Sequence, residues 1–443
     1  MSEEIILRYA LNQDYLSKKG MDHRLICRLD VEPSAALRSQ APPSFCDVCL
    51  VLDGSGSMNE PFAAGYSMTK REGVIDGAKR LVEHLDPGDT VSLVFYDSRA
   101  YTVGELMPGD RPDAIRQSID SLSEYSGATN FEAALKAAKA VLSKGRNPIR
   151  RIIFLTDGQV NEGNSREVDS TVAELSREGV TIDGLGVGAD FNFNYMRGLS
   201  GPSNGRTFLL STPEEAGRRF EELLSAAQKA AATNVFLTAL FAKGLRDVEA
   251  FQWLPEMRYY GELSPNPDGL SRLEVNVQTL RKDQRNIFFF AVRMDPPQKE
   301  STALLANVRL DFDLPSAKQT GLQENVNIFV NFSADDNETQ YDSDVENGFM
   351  EVGLSKLDQQ FQSLRGGDWQ KALSVLDEMI QRARDLGDQN RLSQYQAHRK
   401  KLQKDHFLSD DDFNRVGSSS SLSTRTEEGY LENPEDDDLL SRL

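Results

Sequence analysis

Three separated stretches of this chain carry oxygen-bearing side chains at spacings that suit a divalent cation. The first is Asp53-x-Ser55-x-Ser57, directly after the apolar run 48–52. An acid and two hydroxyls at alternate positions, spaced by Gly54 and Gly56, turn toward one small space at the end of a strand. Glycine lets the backbone make so tight a turn without a side-chain clash. Neutral hydroxyls beside a carboxylate match a hard cation that prefers oxygen and keeps some of its waters. The second stretch, Gly127-Ala128-Thr129-Asn130, opens a helical pattern, and the third is an apolar strand that ends in Asp157. Open parallel sheets bind ligands outside the carboxyl ends of their strands, so these three loops are able to meet.

The elements around the three stretches alternate strand and helix. Helical periodicity appears at Val74, Ala78, Leu81, Val82 and Leu85, and again at Ala134, Ala137, Ala138 and Val141 after Thr129. Residues 90–96, 100–105, 180–187 and 207–210 read as strands. Such alternation predicts a mostly parallel sheet with helices on both faces.

The set Asp53, Ser55, Ser57, Thr129 and Asp157 resembles, in order and at all five positions, the metal-ion-dependent adhesion site of von Willebrand factor type A domains. The resemblance covers roughly residues 45–228. It implies a Rossmann-like, doubly wound α/β domain in which these five residues hold Mg2+ directly or through water, with Mn2+ or Ca2+ as alternatives. A carboxylate from a partner protein then fills the remaining position. Nothing in that role requires catalysis, so no enzymatic activity is expected. Similar bacterial proteins serve as adaptors beside ATPases, chaperones or kinase and phosphatase partners. The stretch Gly188-Ala189-Asp190-Phe191 is similar to theirs too.

A competing reading makes Asp53 a nucleophile. An acid after an apolar strand, followed by Gly-Ser, is also similar to magnesium-dependent phosphatases of the haloacid dehalogenase type. That chemistry needs a general acid at position 55, where this chain has serine, plus a positioned lysine and a late acid pair. No convincing candidate for either is visible in the sequence. The four histidines, His23, His84, His398 and His406, are scattered and lack zinc-protease spacing. Gly184-Leu-Gly-Val-Gly188 lacks the third glycine at the spacing a dinucleotide loop needs, and no lysine follows the 54–57 turn as a phosphate-binding loop would require.

The 443 residues carry a net charge of −19, unevenly spread. Residues 335–351 hold seven acids and no base, and residues 409–443 hold ten acids and three bases. The rest is only mildly acidic, which argues against nucleic acid as a partner. No apolar run approaches bilayer length, and the N-terminus has acids where a signal peptide needs bases, so a cytoplasmic protein without a membrane span is expected. Three cysteines, Cys27, Cys46 and Cys49, form no disulfide framework and read as small buried hydrophobes.

Outside the 45–230 domain the pattern changes. From Asn234 apolar residues alternate with polar ones, as at Leu273, Val275 and Val277, and at Val308, Leu310 and Phe312. Strands with one dry face predict an antiparallel sandwich. Residues 1–44 are too few for a core of their own, so they are expected to pair with 233–333, the α/β domain being inserted between them. An acidic linker, or a cap on the next domain, is expected over 334–351 and a small α-helical domain over 352–406, its first hairpin similar to a tetratricopeptide unit. Residues 407–443 hold few large hydrophobes and read as a disordered acidic tail. Its hydroxyls are candidates for phosphorylation, and Glu435 or Asp436 for docking on the metal in cis.

Overall fold

The computed structural model describes residues 4–421, other than 20–21, 41–43, 64, 159–163, 189–190, 297–300 and 335–339. A six-stranded sheet runs in the order Ala100–Pro108, Thr90–Tyr96, Cys46–Asp53, Ile149–Thr156, Val180–Val187, Thr207–Leu210. All neighbours are parallel except the edge strand Ala100–Pro108. Every residue of Cys46–Asp53 is buried. Its side chains alternate between two cores: Cys46, Val48, Leu50 and Leu52 face the helices Lys70–Glu83 and Pro213–Gln228, while Cys49 and Val51 face Phe131–Leu142 and Ser165–Arg177. A strand buried on both faces must be apolar throughout, which is why the run 48–52 lacks alternation. The chain leaves Cys46–Asp53 toward one edge and returns to its other side as Ile149–Thr156, so the switch point of the sheet falls between the ends that carry Asp53 and Asp157.

This domain is inserted in a β-sandwich, as the sequence predicts. One sheet is ordered Ile5–Leu11, His23–Pro33, Asn286–Met294, Arg246–Leu254, Arg258–Glu262. The other is ordered Arg272–Arg281, Ala230–Phe241, Thr302–Leu314, Gln319–Ser333, Tyr15–Ser17. The early strand His23–Pro33 pairs antiparallel with the late strand Asn286–Met294, with Cys27 opposite Phe290. Entry and exit of the insertion lie side by side, since the Ser44 hydroxyl donates to the carbonyl of Ala230 at 3.2 Å.

Two boundaries differ from the sequence reading. The acidic stretch 334–351 is not a linker throughout: a helix, Ser343–Ser363, begins inside it, with Asp342 as N-cap and Asp344 and Glu346 in its first turn. Acids belong there because they offset the positive end of the helix dipole. The helix lays Val345, Phe349 and Val352 on Phe251, Trp253 and Phe289, covering the outer face of one sandwich sheet. That cover explains the unbroken apolar run 287–292, whose alternate residues fill different cores.

The second difference is at 407. After Trp369–Asp385 and Gln389–Asp405 a further helix, Asp410–Ser420, stands where disorder was expected. A capping box between Ser409 and Asp412 starts it, and Phe413 and Val416 are buried. It holds few large hydrophobes, but its small residues permit close approach: a Cβ on Gly417 would lie 3.3 Å from the Phe193 ring. The Ser420 hydroxyl is 3.0 Å from that of Tyr395. Residues 422–443, with Glu435 and Asp436, lie outside the described residues, as do 335–339 of the acidic stretch.

Candidate metal centre

The site forms at the carboxyl ends of Cys46–Asp53 and Ile149–Thr156. Asp53 is the last residue of its strand and fully buried. One of its oxygens accepts the backbone N–H of Ser55 at 2.8 Å, which closes the turn over Gly54. The other accepts the hydroxyls of Thr156 at 2.8 Å and Tyr96 at 3.2 Å. Gly54 is required by space, because a Cβ there would come within 2.9 Å of the Tyr125 Cβ.

From this turn a chain of oxygens crosses to the neighbouring strand. Ser55 Oγ and Ser57 Oγ are 3.1 Å apart. Ser57 Oγ donates to Asp157 Oδ1 at 2.8 Å. Asp157 is itself buried. Thr129 arrives differently. It is buried in the loop before Phe131–Leu142, and that loop is tied to the turn through the Gly56 N–H, which donates to the Gly127 carbonyl at 3.1 Å. Asn130 then caps the helix by accepting from the Ala133 N–H.

Two residues that sequence reasoning missed complete the surroundings. Lys70, first in its helix, places Nζ 2.8 Å from Asp157 Oδ2 and 3.0 Å from Glu60 Oε2. Arg71 donates to the carbonyls of Gly54, Ser55 and Tyr125 at 3.1, 3.2 and 2.8 Å, which locks two of the loops together. A signal existed. Two bases open a helix, where the dipole disfavours positive charge, so something nearby had to compensate them.

Electrostatics follow from this packing. Burial pushes the Asp53 carboxyl up to about 6, and the negative charge of Asp157 adds to the effect against hydrogen bonds from Ser55 and Thr156. Burial alone would lower the Lys70 ammonium, but its bonds to Asp157 and Glu60 outweigh that and raise it. Cys46 and Cys49 face opposite cores, and burial raises both thiols, so Cys46-x-x-Cys49 is no redox pair.

The donor set fits a hard dication by its chemistry. It comprises two carboxylates and three hydroxyls, with no nitrogen or sulfur ligand, and Asp157 already holds one cationic group. Among the described residues there is no cluster of three or more histidine, cysteine or acidic side chains that could hold a metal ion, so the set depends on its hydroxyls beside the two carboxylates.

Residues 48–159, which include all five of these positions, match the family model of the von Willebrand factor type A domain. The chain contains a von Willebrand factor type A domain. An uncharacterized protein of Synechocystis is 25% identical over 286 residues, 62% of this chain and 63% of that protein. The chain thus spans less than two thirds of that relative. Among solved structures, a von Willebrand factor type A protein from Catenulispora acidiphila superposes with a TM-score of 0.74 at 16% identity, covering 95% of this chain and 97% of that one. The ArnB paralog VWA2 from Sulfolobus acidocaldarius superposes with a TM-score of 0.56 at 16% identity, covering 95% and 98%. These likenesses extend beyond the A domain to the sandwich and helices, and they concern the fold.

Proposed function

We propose that this protein is a metal-dependent interaction module, in which Asp53, Ser55, Ser57, Thr129 and Asp157 hold Mg2+ and an Asp or Glu of a partner protein completes the ion's shell. The observation that carries this reading is the line of side-chain oxygens from Ser55 through Ser57 to Asp157, with Asp53 tied to the same turn through the Ser55 N–H, at the switch point of the sheet. The ion would supply an open, strongly positive coordination position. The protein's part is to present few charges of its own, so that one further carboxylate is attracted. Arg71 keeps the loops in register, and Tyr96 and Thr156 orient Asp53.

Binding rather than catalysis is favoured by how Asp53 is held. Both its oxygens already accept hydrogen bonds, and it is buried, which is poor placement for attack on phosphorus. The lysine that a phosphatase would need does exist, as Lys70, but it contacts Asp157 and not Asp53. No helix among the described residues is long and apolar enough to cross a membrane. The three cysteines are free and buried, which is in keeping with the cytoplasm as the place of action. An adaptor role beside an ATPase, a chaperone or a kinase or phosphatase follows from the sequence resemblance.

The deciding experiment is a pull-down with the full chain, with Mg2+ and with chelator. A partner retained only with Mg2+, and lost on Asp53→Ala, supports the reading. Retention that ignores both chelator and substitution overturns it. Phosphate release from a generic aryl phosphate monoester, abolished by Asp53→Asn, would instead establish the hydrolase.

A further inference from the structure

Lys70 is an unusual neighbour for a cation site. Its side chain is only 5% exposed, and its ammonium sits on Asp157 Oδ2, an atom of one of the two carboxylates proposed to hold the ion. The helix begins at Lys70 through a capping box of Thr69 and Glu72, so the position of its stem is fixed. The backbone N–H of Lys70 also donates to the Glu60 carbonyl at 2.9 Å, which keeps Glu60 within reach of the ammonium. Space for the ammonium is provided by Gly188, in the left-handed region with φ +86°, where a Cβ would lie 3.3 Å from Nζ. Unlike Asp157, Glu60 faces solvent, with 59% of its side chain exposed. One buried carboxylate and one open carboxylate therefore share a single ammonium.

We propose that Lys70 is an internal competitor for the divalent cation, bound to Asp157 when the site is empty and passed to Glu60 when the ion enters. The inference rests on the metal reading above. An ammonium and a dication cannot both lie close to Asp157 without strong repulsion, so loading must displace Nζ from Oδ2. A buried ammonium with no other acceptor would resist displacement strongly. Glu60 removes that obstacle, because Nζ is already within hydrogen-bond distance of it and needs only to give up one of two partners. Lys70 thus weakens affinity for the bare ion and holds Asp157 in place without it, while Glu60 limits the weakening. In this arrangement the two side chains set how readily the site fills, although neither is a ligand.

The test is titration of the full chain with Mn2+ by calorimetry, comparing wild type with Lys70→Met, Glu60→Gln and Asp157→Asn. Lys70→Met is expected to bind the ion about tenfold more tightly, the competitor being gone. Glu60→Gln is expected to bind more weakly by a few-fold, the displaced ammonium keeping an acceptor oxygen but losing its anionic partner. In chelator, Lys70→Met should melt below wild type, and Mn2+ should raise its melting temperature by more than it raises that of wild type. A role in folding alone would not give opposite shifts for the two substitutions. Unchanged or weaker binding in Lys70→Met, while Asp157→Asn abolishes binding, overturns the inference and leaves the metal reading intact. Absence of Mn2+ binding in both wild type and Lys70→Met overturns both. Should Lys70→Met fail to fold, an unshifted affinity in Glu60→Gln is enough to overturn it.

Discussion

Ser57 Oγ donates to Asp157 Oδ1 at 2.8 Å across a hundred positions of chain. One hydroxyl therefore links the turn after the first strand of the A domain to the end of the strand beside it. Replacing Ser57 by Ala removes a proposed ligand and this cross-strand bond together. Ser57 is exposed, so no cavity forms and the fold should lose no more than about 1 kcal/mol. Mn2+ affinity should fall by about tenfold or more. A calorimetric titration beside a thermal melt in chelator separates the two effects.

Acid should release the ion through Asp53. Its folded pKa of about 6 lies above the ordinary 3.8 because its charge is buried near Asp157. With no metal, ionised Asp53 costs stability; that cost is full above about pH 6 and is relieved as pH falls toward the unfolded value. With metal the sign reverses, because the ion binds the charged carboxylate and must displace a proton at lower pH. The Mg2+-induced rise in melting temperature should thus be constant from pH 7 to 8 and should shrink steadily below about 6. A rise that stays the same down to pH 5 would contradict this.

The helix Asp410–Ser420 should contribute to stability. The Phe413 ring stacks on Phe361 with centroids 4.6 Å apart, and both are buried. Phe413→Ala should cost about 3–5 kcal/mol, as for other buried aromatics. Truncation after residue 408 should cost at least as much. Urea unfolding of the full chain measures both. If neither shifts the midpoint, the helix does not pack as described.

Arg197 should matter for the junction between the A domain and the helices. It donates to the fully buried Asp358 at 3.0 Å and to the Met257 carbonyl at 3.0 Å. Burial raises the Asp358 carboxyl even with Arg197 beside it. Arg197→Met leaves that carboxylate without its main counter-charge, at a cost of about 3 kcal/mol near neutral pH. The loss should be smaller at pH 5, where Asp358 takes up a proton more easily. Melts of both proteins at the two pH values check the sign.

Much of this was legible in the chain itself. Asp53-x-Ser55-x-Ser57, Thr129 and Asp157 are local features, and each marks the end of a strand or the start of a helix, where side-chain type and backbone turn go together. The solid apolar runs at 48–52 and 152–155 announced strands buried on both faces, and period two after Asn234 announced strands with one dry face. Where packing partners are remote, the same rules misled. Residues 410–421 hold few large hydrophobes and read as part of a disordered acidic tail, yet Gly417 and Ser420 are small where Phe193 and Tyr395 lie against them.

By itself, then, the sequence determined the layers, the insertion and the placing of Asp53 and Asp157 at adjacent strand ends, because these depend on periodicity and on residue types at strand ends. Tertiary structure alone decided that Lys70 lies on Asp157 and that Arg71 holds four carbonyls. It also decided that the helix Asp410–Ser420 rests on the A domain, through Asn414 against the backbone of Phe191 and Phe193. The reason is physical. A counter-charge or a small-residue contact is set by whatever comes near in space, and nothing in the spacing of neighbouring residues records that distance.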